Sequence, residues 1–147
     1  MLIDLNKSLR GGLLAGSLFA ASLLASFDVL AQTSIPSHTV ELRGETPVTI
    51  RGRLKGPDKS TKDYVVHVKE GATLSVALKA TKASSTHFNI LPPNSSEALF
   101  VGEMEDKAQW KQQVKLTGNY TVRVYLNRAV ARRGAKSDYT LSIASYQ

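Results

Sequence analysis

The sequence predicts an all-β domain, an antiparallel β-sandwich or jelly-roll-like fold with eight or nine short strands. After Gln32, apolar residues alternate with polar ones at a spacing of two, as in strands that bury one face. Turn residues interrupt this pattern about every ten residues, which is typical of antiparallel sandwiches and jelly rolls. No long stretch has the 3.6-residue periodicity of a helix.

The first 31 residues have the features of a secretory signal peptide. Lys7 and Arg10 precede an apolar stretch over residues 11–27, and small residues lead to a predicted cleavage site after Ala31. This stretch is shorter than the about 20 residues that span a bilayer. An uncleaved membrane anchor is therefore the less favoured alternative. We expect a periplasmic or secreted protein without stable membrane insertion after cleavage.

The remaining residues, 32–147, have the length of a single domain. The chain has no cysteine, so the apolar core alone must stabilise this domain, without disulfides. Its formal net charge is +7, and removing the signal peptide leaves that charge unchanged because Lys7 and Arg10 balance Asp4 and Asp28. A basic domain favours acidic partners, such as a nucleic acid, an anionic envelope surface or an acidic protein cleft.

Each predicted strand is an apolar alternation or a short apolar run that ends at turn residues. The strands are predicted at residues 40–43, 48–54, 64–68, 74–78, 88–90, 99–101, 110–116, 120–126 and 139–143. Pro92 and Pro93 must end the fifth strand, since proline cannot donate a hydrogen bond to a sheet. Trp110, Val114 and Leu116 share one strand face with Gln112, and we expect this face to be in the core.

The connections between these strands differ in length. In a chain whose successive strands alternate in direction, every second connection lies at the same end. The tight turns at Gly71 and Gly118 should then share one end with the loop at Pro92 and Pro93. The longer connections should gather at the other end: residues 55–62, 80–86, 102–108 and 127–137. Function is expected at that second end, because binding residues are often carried on longer loops.

A catalytic or metal site is not indicated by the side chains available. The three histidines, His38, His67 and His87, lack the short spacing of metal ligands, and we expect the latter two on exposed strand faces. The sequence contains no glycine-rich phosphate loop and no Gly-x-Ser-x-Gly motif. We therefore predict a protein that is not an enzyme and that has no cofactor and no metal.

One cluster of acidic residues lies near Trp110 in the sequence. It consists of Glu103, Glu105 and Asp106. Clustered carboxylates can bind calcium or hydrolyse glycosides. A solvated acidic loop is the more common role of such a run, and we favour that interpretation.

Positive charge is concentrated towards the C-terminus. Residues 119–147 contain five basic side chains, Arg123, Arg128, Arg132, Arg133 and Lys136, against Asp138 alone, a net charge of +4 in one predicted hairpin. If residues 127–133 form a helical turn, Arg128 and Arg132 lie on one side of it, because they are four residues apart.

The flanking residues favour such a turn. Asn127 is a good N-terminal cap, and Gly134 can end the turn. Two guanidinium groups on one protruding turn would bind carboxylate or phosphate groups, since each can donate two parallel hydrogen bonds. On residue type alone, a solvated basic hairpin tip is the commoner case.

A set of short motifs over most of the mature domain resembles the periplasmic inhibitors of goose-type lysozyme. They are Leu54-Lys55-Gly56 before the Tyr64 strand, Lys69-Glu70-Gly71 before a valine-rich strand, Gly118, Tyr120, Arg123 and Val124 in one strand, Arg128, Ala131 and Arg132 in the turn, and Tyr139 and Ile143 in the closing strand. The arginine turn between those two strands is the most specific part. The loop over residues 56–63 departs from the family, because it is longer and lacks the family's tyrosines.

This resemblance implies a β-sandwich that inserts loops into the substrate cleft of goose-type lysozyme, its protein partner. Arg128 and Arg132 would contact the acidic residues of the cleft, and Arg133 and Lys136 would steer the approach from its edge. The other implied contact residues are Asn127, Tyr64 and Tyr125. Tyr64 is equally well explained as a core residue.

Two other functions remain open. The first is a carbohydrate- or envelope-binding module like the pre-peptidase C-terminal modules. Such modules normally accompany a catalytic domain, and we expect no such domain within these 147 residues. The second is a polyanion binder, which should expose aromatic side chains for stacking. Trp110 is the single tryptophan, and we expect it in the core. We therefore expect no binding of nucleic acid.

Overall fold

Nine strands and two short helices follow one another in residues 34–147, the part of the chain that the computed structural model describes. The strands are β1 (Ser37–Val40), β2 (Val48–Lys55), β3 (Thr61–Val68), β4 (Thr73–Ala80), β5 (Thr86–Leu91), β6 (Phe100–Val101), β7 (Gln109–Gln113), β8 (Gly118–Leu126) and β9 (Lys136–Tyr146), with a 3-10 helix at Gly102–Met104 and α1 at Arg128–Arg132. The predicted signal peptide and its cleavage site lie outside the described residues. Within 34–147, no helix has the length and hydropathy needed to cross a membrane.

The strands form two sheets, in the orders β1-β3-β8-β5-β6 and β2-β9-β4-β7. Neighbouring strands are antiparallel except for β1 and β3, which are parallel. The predicted all-β sandwich is confirmed. One detail of the prediction is wrong: β8 and β9 do not form a hairpin, because they belong to different sheets. The basic segment between them therefore crosses from one sheet to the other.

The core lies between the two sheets and follows the period-two pattern of the sequence. In β8, for example, Tyr120, Val122, Val124 and Leu126 are buried while the residues between them are partly exposed. Burying one such apolar side chain contributes about 1.5–3 kcal/mol. In residues 34–147 the core contains 21 buried apolar or aromatic residues, so burial stabilises the domain without disulfides.

The first strand is displaced from its predicted position. We expected residues 40–43, but β1 is Ser37–Val40 and pairs in parallel with β3. The backbone N–H of Asp63 also donates a hydrogen bond to the Pro36 carbonyl just before β1. Only Val40 of β1 is buried. Local alternation could not reveal this strand, since it forms through pairing with β3 rather than through an apolar face of its own.

The seventh strand is shorter than predicted. It ends at Gln113, and Val114 instead exchanges backbone hydrogen bonds with residues 71 and 72 beyond the end of the strand. Leu116 was expected in the core but is 56% exposed. Trp110 is only partly buried, although it packs against the core. The residues at the inward-facing positions of this segment are therefore apolar as predicted, but Leu116 and part of Trp110 remain accessible to solvent.

The connections gather at two ends as predicted, because successive strands alternate in direction. At the tight-turn end, the Glu70 N–H donates to the Thr117 hydroxyl group, and a Cβ atom on Gly118 would lie 2.7 Å from Pro93. The opposite end carries α1, and we call it the arginine-turn end. There the N–H groups of Leu126 and Asn127 donate to the carbonyls of Ser60 and Ser85 at 2.8 Å, and Leu78 donates to Ala108 at 2.8 Å.

Candidate functional site

The arginine turn, residues 127–134, has a defined start and end. The Asn127 side-chain oxygen accepts hydrogen bonds from the N–H groups of Ala129 at 3.0 Å and Val130 at 3.4 Å, which would otherwise lack partners at the start of α1. Gly134 has a φ of +74°, the left-handed conformation that favours glycine after a helix. Its N–H donates to the Ala131 carbonyl at 2.9 Å. The predicted cap and the predicted end of the turn are confirmed.

The turn is docked on the loop that follows β2. Ala131 is buried, and Val130 packs partly buried against the core. The N–H of Gly56 donates to the Ala135 carbonyl at 2.9 Å. A Cβ atom on Gly56 would overlap the Ala131 carbonyl, so only glycine permits this approach of two backbones. The turn is therefore held by direct contact with the neighbouring loop as well as by its cap.

Docking on Ala131 turns the basic side chains towards solvent. Arg128, Arg132, Arg133 and Lys136 are all exposed. None of the four forms a salt bridge within residues 34–147. The structure therefore brings together four of the predicted contact residues as free cations, with their cap Asn127 at the base of the group.

Asp138, the acidic residue that follows the turn in the chain, is already engaged. Both carboxylate oxygens of Asp138 accept hydrogen bonds from the guanidinium group of Arg53, across the β2–β9 pair. These hydrogen bonds lower the pKa of the Asp138 carboxyl group. Asp138 is therefore charged at neutral pH and is committed to Arg53, which leaves the arginines of the turn without an intramolecular partner.

Arg123 does not add to this free charge. It lies within β8, opposite Asp63 of β3, and donates two hydrogen bonds of 2.8 Å to the Asp63 carboxylate. The predicted net charge of +4 is therefore retained, but it does not lie on a hairpin. Arg123 and Asp138 are both neutralised by partners from other strands, and the remaining cations of the segment all belong to the turn and its exit.

Tyr64 belongs to the core and not to this surface. It is 2% exposed, and its hydroxyl group is hydrogen-bonded to that of Tyr139 between the sheets. The interpretation as a core residue is the one that fits, because β3 directs this side chain inwards. Burial, followed by the hydrogen bond with Tyr64, raises the pKa of Tyr139 well above its usual range.

Tyr125 lies on the outer face of β8, close to the arginine-turn end. Its ring is 5.9 Å from that of His87 on the neighbouring strand. Burial raises the pKa of Tyr125, and the nearby Glu103 carboxylate raises it further. Tyr125 is partly exposed. A partner that covers the arginine turn from the side of β8 would reach it.

The structure also adds neighbours that the sequence did not indicate. Lys55 is directly opposite Lys136 in the β2–β9 pair, so the end of β2 extends the basic surface. Lys82 follows β4, and its N–H donates to the Ser137 hydroxyl group at the start of β9. No local pattern predicts these contacts, because the strands involved are far apart in the sequence.

The residues considered for catalysis are not brought together. Glu103, Glu105 and Asp106 are all exposed. In residues 34–147, no group of three or more histidine, aspartate or glutamate side chains is placed to hold a metal ion. His67 lies on an exposed strand face, as predicted, and His87 is only partly exposed beside Tyr125.

The sequence matches no protein-family model and no curated protein. Among solved structures, the chain is similar to PliG of Aeromonas hydrophila, a periplasmic lysozyme inhibitor of g-type lysozyme. The two are 27% identical, with a TM-score of 0.66 over 76% of this chain and 96% of that one. The predicted resemblance to goose-type lysozyme inhibitors is thus supported by the structural neighbours at modest identity.

Two further structures share the fold. PliG of Salmonella Typhimurium, also a periplasmic inhibitor of g-type lysozyme, is 19% identical, with a TM-score of 0.58 over 76% of this chain and 99% of that one. The pre-peptidase C-terminal domain of a Bacillus anthracis collagenase is 18% identical, with a TM-score of 0.57 over 75% of this chain and 96% of that one. At these identities the likeness shows the fold alone.

Proposed function

We propose that this protein inhibits a lysozyme of the goose type by inserting the arginine turn into the acidic substrate cleft. The observation that carries the proposal is the combination of the turn with the likeness to the A. hydrophila inhibitor. Arg128 and Arg132 are the two residues proposed to enter the cleft. Its site of action would be the periplasm or the exterior of the cell, where lysozyme reaches the cell wall.

The first support is that the turn is already built in the free protein. Its cap, its glycine end and its docking on Gly56 all hold it without a partner. A preformed binding element loses less conformational entropy on association than a flexible loop, so more of the contact energy appears as affinity. The free arginines would then meet the cleft in a fixed arrangement.

The second support is chemical. A glycosidase cleft contains carboxylates that stabilise the positive charge developing on the sugar at the transition state. A guanidinium group is cationic, planar and able to donate two parallel hydrogen bonds to one carboxylate. If Arg128 or Arg132 is inserted into the cleft, its guanidinium group would occupy the site of the sugar and pair with the catalytic carboxylates.

The surrounding cations would contribute mainly to the rate of association. Arg133 at the end of the turn and Lys136 just beyond it are exposed, and Lys55 lies next to Lys136. Charges at the edge of an interface accelerate the encounter of oppositely charged proteins and lose much of this effect in salt. Tyr125 would add a contact from the outer face of β8.

The test is a cell-wall lysis assay with purified goose-type and chicken-type lysozymes. The purified protein should inhibit the goose-type enzyme selectively, and the Arg128→Ala/Arg132→Ala variant should lose that inhibition while remaining folded. A hot-spot arginine at an interface centre contributes about 2 kcal/mol or more, so we expect a loss of about thirtyfold in affinity for one hot spot and of up to about a thousandfold if both arginines are hot spots.

A matched control removes two exposed cations from the opposite end. Arg43→Ala/Lys69→Ala changes the net charge by the same amount and should inhibit almost as well as the unmodified protein. If both double variants lose inhibition equally, general charge and not the turn is responsible. If the unmodified protein inhibits neither lysozyme at micromolar concentration, the proposal is wrong.

A carbohydrate- or envelope-binding module remains the alternative. Its support is the shared fold of the pre-peptidase C-terminal domain, which does not extend to function at 18% identity. Retention of the protein on purified cell walls, together with no inhibition of either lysozyme, would favour it.

A further inference from the structure

The edge of the sandwich formed by β6 and β7 is open. These strands are the last of their sheets, and Leu99 just before β6 lines the same cavity as Trp110 of β7. Because β6 has only two residues, it does not cover the inward side of β7. The gap is a cavity of about 290 Å³, which we call the inter-sheet mouth. It is lined mainly by Leu99, Trp110, Val114, Leu116 and Tyr120.

Apolar side chains line the mouth both at its floor and at its rim. Val114 and Tyr120 form a buried floor. Leu99 and Leu116 stand at the rim with 50% and 56% of their surface exposed, and they are two of the four large apolar side chains that are exposed in residues 34–147. Exposed apolar side chains gathered around one concavity, rather than scattered, are typical of a ligand site.

The polar groups at the mouth favour an anionic ligand. Lys115 lines it and has no salt-bridge partner in the described part of the chain. Gln112 also lines it, and its side chain forms no hydrogen bond within residues 34–147, whereas the Gln113 side chain donates to the Gly71 carbonyl. Lys111 is not available, since its ammonium group lies 5.1 Å from the Tyr146 ring on the other face. No carboxylate side chain lines the mouth.

We infer that the inter-sheet mouth binds a small anionic amphiphile, an acyl or aryl carboxylate. The apolar part would lie between Leu99, Trp110 and Leu116. The ammonium group of Lys115 and the amide of Gln112 would donate hydrogen bonds to the two carboxylate oxygens. This site lies at the other end of the sandwich from the arginine turn, so its ligand and a lysozyme could be bound together.

Trp110 reports directly on this site, because it is the only tryptophan of the chain. The experiment is a fluorescence titration of the purified protein with decanoate, and with decanol and decylamine of the same chain length, all below their aggregation limits. Decanoate should saturate at one molecule per protein and shift the emission of Trp110 to shorter wavelength. Decanol should bind more weakly, and decylamine most weakly, because Lys115 repels it.

Variants separate the apolar part from the charged part. Leu116→Asn should weaken the binding of decanoate by about ten- to a hundredfold, the equivalent of one buried leucine. Lys115→Gln should weaken it by about two- to fivefold, the size of an exposed ion pair, and should remove the preference over decanol. Met104→Asn and Lys69→Gln are matched controls, since both residues are exposed and neither lines the mouth.

Leu99→Asn is a second rim variant and replaces Leu116→Asn if that protein fails to fold by circular dichroism. Equal affinity for the three ligands, or unchanged decanoate binding in the folded rim variant, would overturn the proposal. Both rim variants should still inhibit lysozyme. Failure of the amphiphile site would therefore leave the proposed inhibition untouched, and the reverse is also true.

Discussion

The two ends of this sandwich present opposite surfaces from the same strands. At the arginine-turn end, backbone contacts and a side-chain cap hold a short helix whose exposed side chains are cations. At the tight-turn end, two of the connections are tight turns, and the adjacent edge leaves apolar residues of the core pattern uncovered. The first surface is polar and preformed, and the second is apolar and concave.

The difference shows how a small sandwich can carry two binding surfaces without disturbing its core. The arginine turn crosses between the sheets, so it can be docked on a loop and still project side chains outwards. The inter-sheet mouth exists because β6 is too short to close the edge. The basic surface results from the docked connection between β8 and β9, and the apolar surface results from the short strand β6, which has two residues.

We expect the largest effect on the arginine turn from Gly56→Ala. The new methyl group would overlap the Ala131 carbonyl, so the turn must move away from its supporting loop. We expect a loss of about 1–3 kcal/mol in the free energy of unfolding, measured in urea. Inhibition of lysozyme should fall along with it, whereas decanoate binding at the mouth should persist in the folded protein.

Gly44→Ala is the control for this change. Gly44 has a positive φ of 60°, unlike Gly56, and a Cβ atom there would have no neighbour within 4 Å. Its substitution should cost about 1 kcal/mol through backbone strain alone and leave inhibition intact. A Gly56→Ala protein that inhibits as well as Gly44→Ala would show that docking does not position the turn.

Two buried tyrosines allow a finer comparison of the ends. The Tyr139 hydroxyl group is hydrogen-bonded to that of Tyr64 beneath the arginine-turn end. Near the mouth, the Tyr120 hydroxyl group donates a hydrogen bond of 2.7 Å to the Leu116 carbonyl. Tyr139→Phe and Tyr120→Phe should each reduce the free energy of unfolding by about 1–2 kcal/mol. Only the first should alter lysozyme inhibition, and only the second should alter decanoate binding. The reverse pattern would contradict the assignment of each tyrosine to its end.

The hydrogen-bonded pair of Tyr64 and Tyr139 also predicts that the free energy of unfolding depends on pH in the alkaline range. Burial raises the pKa of Tyr139 in the folded state, so its contribution to stability is complete below the pKa of an unfolded tyrosine, near pH 10, and is lost as the pH rises further. The unmodified protein should therefore lose stability more steeply above pH 10 than Tyr139→Phe. Urea unfolding at pH 8 and pH 11 measures the difference, and equal slopes would show that Tyr139 does not titrate on unfolding.

The smallest effect is expected from removing a single cap at each end. Asn127→Ala removes the N-cap of α1 and should cost about 1 kcal/mol, with a loss of about fivefold in lysozyme affinity. Ser95→Ala removes a similar contact, since the Ser95 hydroxyl group accepts from the Glu97 N–H at 3.1 Å in the loop after β5. Affinity measured by titration should be unchanged in this second variant. An equal loss in both would indicate a general effect on folding.

Local residue patterns predicted the elements better than the contacts between them. The alternation in 120–126 and 139–143 gave strands that the structure contains as parts of β8 and β9. The cap at Asn127 and the end at Gly134 were also predicted, because both depend on residues that are close in sequence.

Predictions that depended on which strands pair, or on what covers a strand face, were wrong. The hairpin between β8 and β9 is absent from the described structure, and Leu116 is exposed although its spacing matches the core face. Tyr64 had two interpretations, and only its position opposite Tyr139 favours the core. Alternation gives the face of a strand but not the sheet to which the strand belongs or whether a neighbour covers that face.

By itself, the sequence determined the all-β class, the strand faces, the capped turn and the positive charge of its arginines. These properties depend on residue type and short spacing, through backbone preferences and burial of alternate side chains. The tertiary structure decided that Arg123 and Asp138 are neutralised, that Gly56 supports the turn and that the β6–β7 edge stays open. Each of these involves residues far apart in the chain, brought together only when the two sheets pack.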